Sequence, residues 1–137
     1  LMEAEGRDAV FARHAASAAA AQAGLEALGF TLFADAAVRS KTVTAAWIPD
    51  DLDWKPFNAD LRKRGLVLAG SQGKLTGRIF RIGHLGSVTI EEIIAAMATL
   101  EAGLLAAGRD IAPGAGVAAA QRAALDAAGV RTAVAAG

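Results

Sequence analysis

A chain of 137 residues with 54% apolar and 20% charged side chains carries enough material for one packed domain, which excludes a disordered segment. Fourteen Lys and Arg balance fourteen Asp and Glu, so no net field draws the chain to nucleic acid or to an anionic membrane. There is no cysteine, and the two histidines, His14 and His84, lie far apart without acidic clusters; disulfide and thiolate chemistry are removed and a zinc site has no support.

The chain opens on Leu1, and residues 3–28 already read as an alanine-rich helix with no N-cap before it. Chains seldom begin in mid-helix, so either a start segment is missing or the chain is a piece of something longer. Val10, Ala18, Leu25 and Leu28 recur near helical spacing, with Phe11 beside the first. The apolar stretch at 15–21 is broken by Ser17 and flanked by Arg13, His14 and Gln22, a helix pattern and not a membrane span. No basic start followed by an apolar core and a cleavage site marks a signal peptide, so a cytoplasmic location is the default expectation. Gly29 suits the helix C-terminus.

Residues 30–33 read as a short strand, 38–42 as a polar, basic loop, and 43–48, β-branched and apolar, as a buried strand. Asp53 is placed to cap a helix over 54–64, with Phe57 and Leu61 on one face; Pro56 is tolerated because it lies in the first turn. Residues 66–69 and 78–83 read as strands joined by the glycine-rich stretch 70–77, and 83–86 as a turn. Thr89-Ile90-Glu91-Glu92 matches the capping box and opens a strong helix with Ile93, Met97, Leu100 and Leu104 in one stripe, ended by Gly108. A last helix is expected over 117–128. This order predicts an α+β domain: a small, mostly antiparallel sheet covered by helices.

The glycine-rich stretch invites comparison with a phosphate loop, but Gly73-Lys74 is followed by Leu75 and a strand, not by Ser or Thr and a helix. Arg81 is the most informative single residue. Phe80 and Ile82 bracket it on a predicted strand, and a guanidinium among apolar neighbours is costly unless it meets an anion, which its planar fork grips in two places. From residue types alone an internal carboxylate or a solvated face is the favoured explanation. His84 is expected to bond to backbone in its turn, His14 to sit at the surface, and Lys41 and Lys74 to be solvated. Arg39-Ser40-Lys41-Thr42 reads either as a loop start or as a face for an anion.

The stretch 67–86, Val-Leu-Ala-Gly-Ser-Gln-Gly-Lys-Leu-Thr-Gly-Arg-Ile-Phe-Arg-Ile-Gly-His-Leu-Gly, closely resembles a signature of class V aminotransferases of the alanine–glyoxylate / serine–pyruvate branch, in which a glycine-rich loop leads into a strand ending Phe/Leu-Arg-Ile-Gly-x-Met/Leu-Gly. Upstream, 39–45 is similar to the family's Arg-Ser/x-x-Thr-Val-Thr segment; Asp53-Trp54 and the helix after it also fit, and 113–121 looks like members with a C-terminal extension. The resemblance covers essentially the whole chain.

The resemblance implies a two-part enzyme: a large α/β domain that carries pyridoxal phosphate on a lysine, and a small C-terminal α+β domain that closes the active site. It places the family's carboxylate-gripping arginine at Arg81 and an active-site loop at Gly70, Ser71, Gln72 and Gly73. It implies amino acid and keto acid substrates and a homodimer for the full protein, with no catalytic residue and no metal in this chain. Residues 1–29 become an interdomain-type helix, 30–108 the small-domain core, and 109–137 a helical extension. Two departures stand out: the segments for the Schiff-base lysine, the pyridine-nitrogen aspartate and the phosphate loop are absent, and Ser71 occupies a position often held by glycine. The alternatives are a stand-alone, non-catalytic module that binds a small acid, and a class V lyase or desulfurase, against which the lack of cysteine counts modestly.

Overall fold

The computed structural model describes residues 6–84 and 86–130. The expected starts and ends at 3–5 and 131–137, and Leu85 of the expected turn, lie outside the described residues. Helix α1 spans Arg7–Ala27, strand β1 Val43–Trp47, helix α2 Trp54–Lys63, strand β2 Ala69–Gly70, strand β3 Ile79–Gly83, helix α3 Ile90–Ala106 and helix α4 Ala115–Ala127. The three strands form one antiparallel sheet in the order β1-β3-β2. This is the α+β architecture expected from the sequence.

The sheet is buried on one side. Thr44, Ala46, Phe80 and Ile82 face inward, and Phe80 is fully buried between Trp54, stacked at 5.4 Å, and Phe30, edge-on at 5.1 Å. One continuous apolar cluster runs from Ala20 and Leu25 of α1 and Leu28 just after it through Leu61, Phe80 and Met97 to Ala120 and Ala124 of α4. Alanine and glycine let the helices approach closely. A Cβ built on Gly24 would lie 2.6 Å from the Met97 sulfur, one on Gly103 2.8 Å from Leu61 Cδ2, and one on Gly116 2.7 Å from Leu28 Cγ.

Local signals held where the determinants are local. The capping box forms in full: the Thr89 hydroxyl accepts from the Glu92 N–H at 3.1 Å, and the Glu92 carboxylate accepts from the Thr89 N–H at 2.8 Å. Gly29 follows the end of α1 at φ 89°, where glycine carries no Cβ penalty.

Elsewhere the structure corrects the expectation. Residues 30–33 make a single bridge, Leu32 to Ala46, and no strand, because the chain turns at Phe33 into a short 3-10 turn, Ala36–Val38. The second strand is two residues long at Ala69–Gly70 rather than 66–69, because only those residues reach the β3 ladder. Asp53 stands at the N-cap of α2 but its side chain makes no capping bond. The last helix begins at Ala115, two residues before 117. Phe11 is 59% exposed and does not join the core stripe.

Candidate functional site

The solvent-facing side of the sheet is assembled by register. Arg81 pairs with Ala45 on one side and Ala69 on the other, so one row across the three strands reads alanine, arginine, alanine. Directly opposed residues share a face. Two methyl groups cannot cover a guanidinium, and Arg81 is exposed. Its Nε and Nη2 donate to a single acceptor, the Gly70 carbonyl, at 3.0 and 2.9 Å. Among the described residues no Asp or Glu forms a salt bridge with Arg81. An internal acid therefore does not account for its place on the sheet. A shallow groove of about 330 Å³ runs beside it, lined by Leu66, Ala69, Arg81, Ile82, Val88 and Glu92. The Glu92 carboxylate in that groove is engaged by the Thr89 N–H.

The neighbouring cations are committed elsewhere. Arg78 lies over the Trp47 ring, 5.3 Å from its centroid. Arg39 is tied to Glu26 at 3.2 Å and to the Ala34 carbonyl at 3.1 Å. The Ser40 hydroxyl accepts from the Thr42 and Val43 N–H groups at 3.1 and 3.3 Å, so the stretch 39–42 is a turn that launches β1.

Gly70 closes β2, and the polar loop follows. The Ser71 hydroxyl donates to the Leu75 carbonyl, Gln72 precedes a 3-10 turn over Gly73–Leu75, and Gly73 and Gly77 adopt φ 66° and 72°, which favour glycine. The loop then enters β3, not a helix, which is not a phosphate-loop geometry.

The histidines depart from expectation. His84 is fully buried, and its Nε2 pairs with the Thr44 hydroxyl at 2.8 Å. Burial pushes its pKa below the ordinary 6.5, against a smaller opposing pull from the Lys41 backbone. His14 is half-buried on α1, with Nε2 enclosed and unpartnered, and not at the surface. Glu101 was missed in the sequence. It is buried, and its carboxylate accepts the N–H groups of Gly114 and Val117 at 2.8 and 2.9 Å, at the start of α4. Its position, four residues after Met97 and three before Leu104, was the available signal: an acid on a buried stripe needs partners.

A larger cleft of about 460 Å³ lies between α2 and the end of α3, away from Arg81, lined by Asp51, Asp53, Phe57, Asp60, Gly103 and Arg109. Its acids Asp51 and Asp60 are paired with Arg109 and Arg64. Among the described residues no group of three or more His, Cys, Asp or Glu could hold a metal ion, and no helix is long and apolar enough to cross a membrane. All four lysines, Lys41, Lys55, Lys63 and Lys74, are exposed. All stand at the surface and none is enclosed in a site, so these residues do not fit as the anchor of pyridoxal phosphate.

The fold agrees with that of the chains it matches. The transaminases and solved structures it matches are class V aminotransferases, and the chain is similar to their C-terminal part, about 30% of their length. It is 42% identical over 124 residues to a protein named soluble hydrogenase, small subunit, of Synechococcus sp. (strain PCC 6716), covering 89% of this chain and 32% of that protein. It is 41% identical over 120 residues to pyridoxamine–pyruvate transaminase of Mesorhizobium japonicum, covering 85% of this chain and 30% of that protein. The crystal structure of ureidoglycine–glyoxylate aminotransferase from Bacillus subtilis superposes with a TM-score of 0.82 at 34% identity, covering 88% of this chain and 32% of that one. The chain thus spans about a third of the length of these relatives. No protein-family model matches it.

Proposed function

We propose that this chain is the small, carboxylate-gripping domain of a pyridoxal-phosphate-dependent aminotransferase that moves an amino group from a small amino acid such as alanine or serine to a keto acid such as glyoxylate or pyruvate. In this reading residues 1–29 carry the chain in from a large domain, 30–108 form the body of the small domain, and 109–137 are an extension whose helix packs into the same core. The cofactor belongs to the large domain, and the complete protein is a cytoplasmic homodimer. A relative that acts on pyruvate and one that acts on glyoxylate, by their names, support the acceptor class.

The observation that carries the reading is the state of Arg81. A strand-borne guanidinium lies exposed between two alanines, held by one backbone carbonyl and by no carboxylate of the described residues. Such a group is prepared for an external carboxylate. The cofactor supplies an electron sink for the amine transfer when bound. The task of this chain is orientation: a two-point grip on the α-carboxylate fixes how the substrate is presented to groups outside the chain.

In the complete protein, Arg81→Ala is expected to raise KM for carboxylate substrates by about 10–100-fold, the loss of one charge-assisted contact, while cofactor content stays unchanged. An unchanged KM together with lost cofactor would overturn the assignment. The isolated chain is expected to show no transamination, and robust turnover by it would overturn the division of labour.

A further inference from the structure

The two hydrogen bonds from Arg81 fall on one particular edge of the guanidinium. Arginine has five N–H donors, arranged as a side edge, Nε with Nη2, and an outer edge, Nη1 with Nη2. The Gly70 carbonyl takes the side edge at 3.0 and 2.9 Å. The outer edge keeps its donors free among the described residues. We propose that the Gly70 carbonyl is a positioning group for Arg81: it holds the side edge so that the outer edge, Nη1 and Nη2, is what meets a substrate carboxylate. This rests on the reading of Arg81 as a carboxylate-binding residue.

Three features of the fold make the carbonyl a fixed support. Ala69 stands opposite Arg81 in the ladder, so Gly70, the last residue of β2, is anchored to the same strand that bears the arginine. The chain beyond it is closed into a compact turn: the Ser71 hydroxyl donates to the Leu75 carbonyl, Thr76 N–H to Gly73 O at 3.2 Å, and Arg78 N–H to Leu75 O at 2.9 Å. Finally, no side chain from the flanking positions, Ala45 and Ala69, competes for the guanidinium. A long, exposed side chain otherwise loses rotamer freedom when it binds; one already held by Gly70 has lost it beforehand. Ser71 acts through the loop: it fixes the turn that aims the Gly70 carbonyl.

The test uses the complete protein with pyruvate as the probe. Ser71→Ala frees the loop and is expected to raise KM for pyruvate about five- to tenfold with kcat changed less than about twofold, the signature of lost pre-ordering. Ser71→Thr, which retains the hydroxyl, is expected to restore the wild-type KM. A crystal structure with bound pyruvate provides a check that does not depend on any variant folding: the carboxylate is expected on Nη1 and Nη2, with Nε and Nη2 still on Gly70. A carboxylate seated on Nε, with the Gly70 carbonyl released, overturns the proposal. So does an unchanged KM in folded Ser71→Ala when Arg81→Ala still raises it, a result that leaves the carboxylate reading standing. If Arg81→Ala itself leaves KM unchanged, the carboxylate reading falls and the positioning role with it.

Discussion

His84 shows how one residue couples burial to solution behaviour. It is enclosed at the end of β3, bonded through Nε2 to Thr44, while its Nδ1 has no partner. Burial holds its pKa below the ordinary 6.5, so the folded state resists a proton that the unfolded chain accepts. Wherever the unfolded state binds more protons, stability rises with pH. The contribution is therefore complete above about pH 6.5 and is lost as the pH falls through the lower, folded-state value. Urea midpoints of the purified chain are expected to be flat above neutrality and to drop toward about pH 5, and His84→Gln is expected to remove most of that slope. Equal midpoints at both ends of the range in the wild type would contradict this. None of it could be read in the sequence. A histidine between glycines looks like a turn residue, and its burial is set by Thr44, forty positions away. The exposure of Arg81 was one of the alternatives left open by residue type, and alanines delivered by two other strands decide it. What the sequence did carry was the residue type, a guanidinium among apolar neighbours, and that was enough to single it out.

Elements divide by how local their causes are. The start of α3 was legible because Thr89 and Glu92 satisfy each other's backbone within one turn. Thr89→Ala is expected to cost about 1 kcal/mol by thermal or chemical denaturation. The short strand β2 was misplaced because ladder length is set by a distant partner; β3 offers pairing only at Ala69 and Gly70. The start of α4 depends on another element altogether. Gly114 occupies the N-cap without a side chain to offer, and the cap comes from Glu101, whose two carboxylate oxygens take the Gly114 and Val117 N–H groups. A negative charge at a helix N-terminus also meets the positive end of the helix dipole. Glu101→Ala is expected to destabilise the domain by about 2–4 kcal/mol, since two charge-assisted bonds disappear and partly buried N–H groups lose their acceptor. Glu101→Gln, which retains one acceptor oxygen, is expected to lose less. A cost below that of Thr89→Ala would mean that α4 is capped by other means.

At the scale of the whole molecule, the notable feature is that the last helix closes the core rather than trailing from it. Ala120 and Ala124 belong to the same cluster as Leu25 and Phe80, and α4 packs along α1 with Gly116 against Leu28. That close approach leaves no room for one extra methyl: a Cβ at position 116 would meet Leu28 Cγ at 2.7 Å and both its methyls at 3.0 Å or less. The contacted atom nearest to it is the branch carbon of Leu28, which is only 4% exposed and cannot swing aside without moving α1. Gly116→Ala therefore sets about 1 kcal/mol of gained helix propensity against about 1–3 kcal/mol of overpacking, and a net loss is expected. Because α1, the sheet, α3 and α4 share one cluster, that loss belongs to the entire domain and not to α4 alone. Circular dichroism of the purified chain should show one melting transition, shifted down as a unit by a few degrees in Gly116→Ala. Two separable transitions, or a melt of α4 alone in the variant, would show that the helix is an appendage and that the sheet bearing Arg81 stands without it.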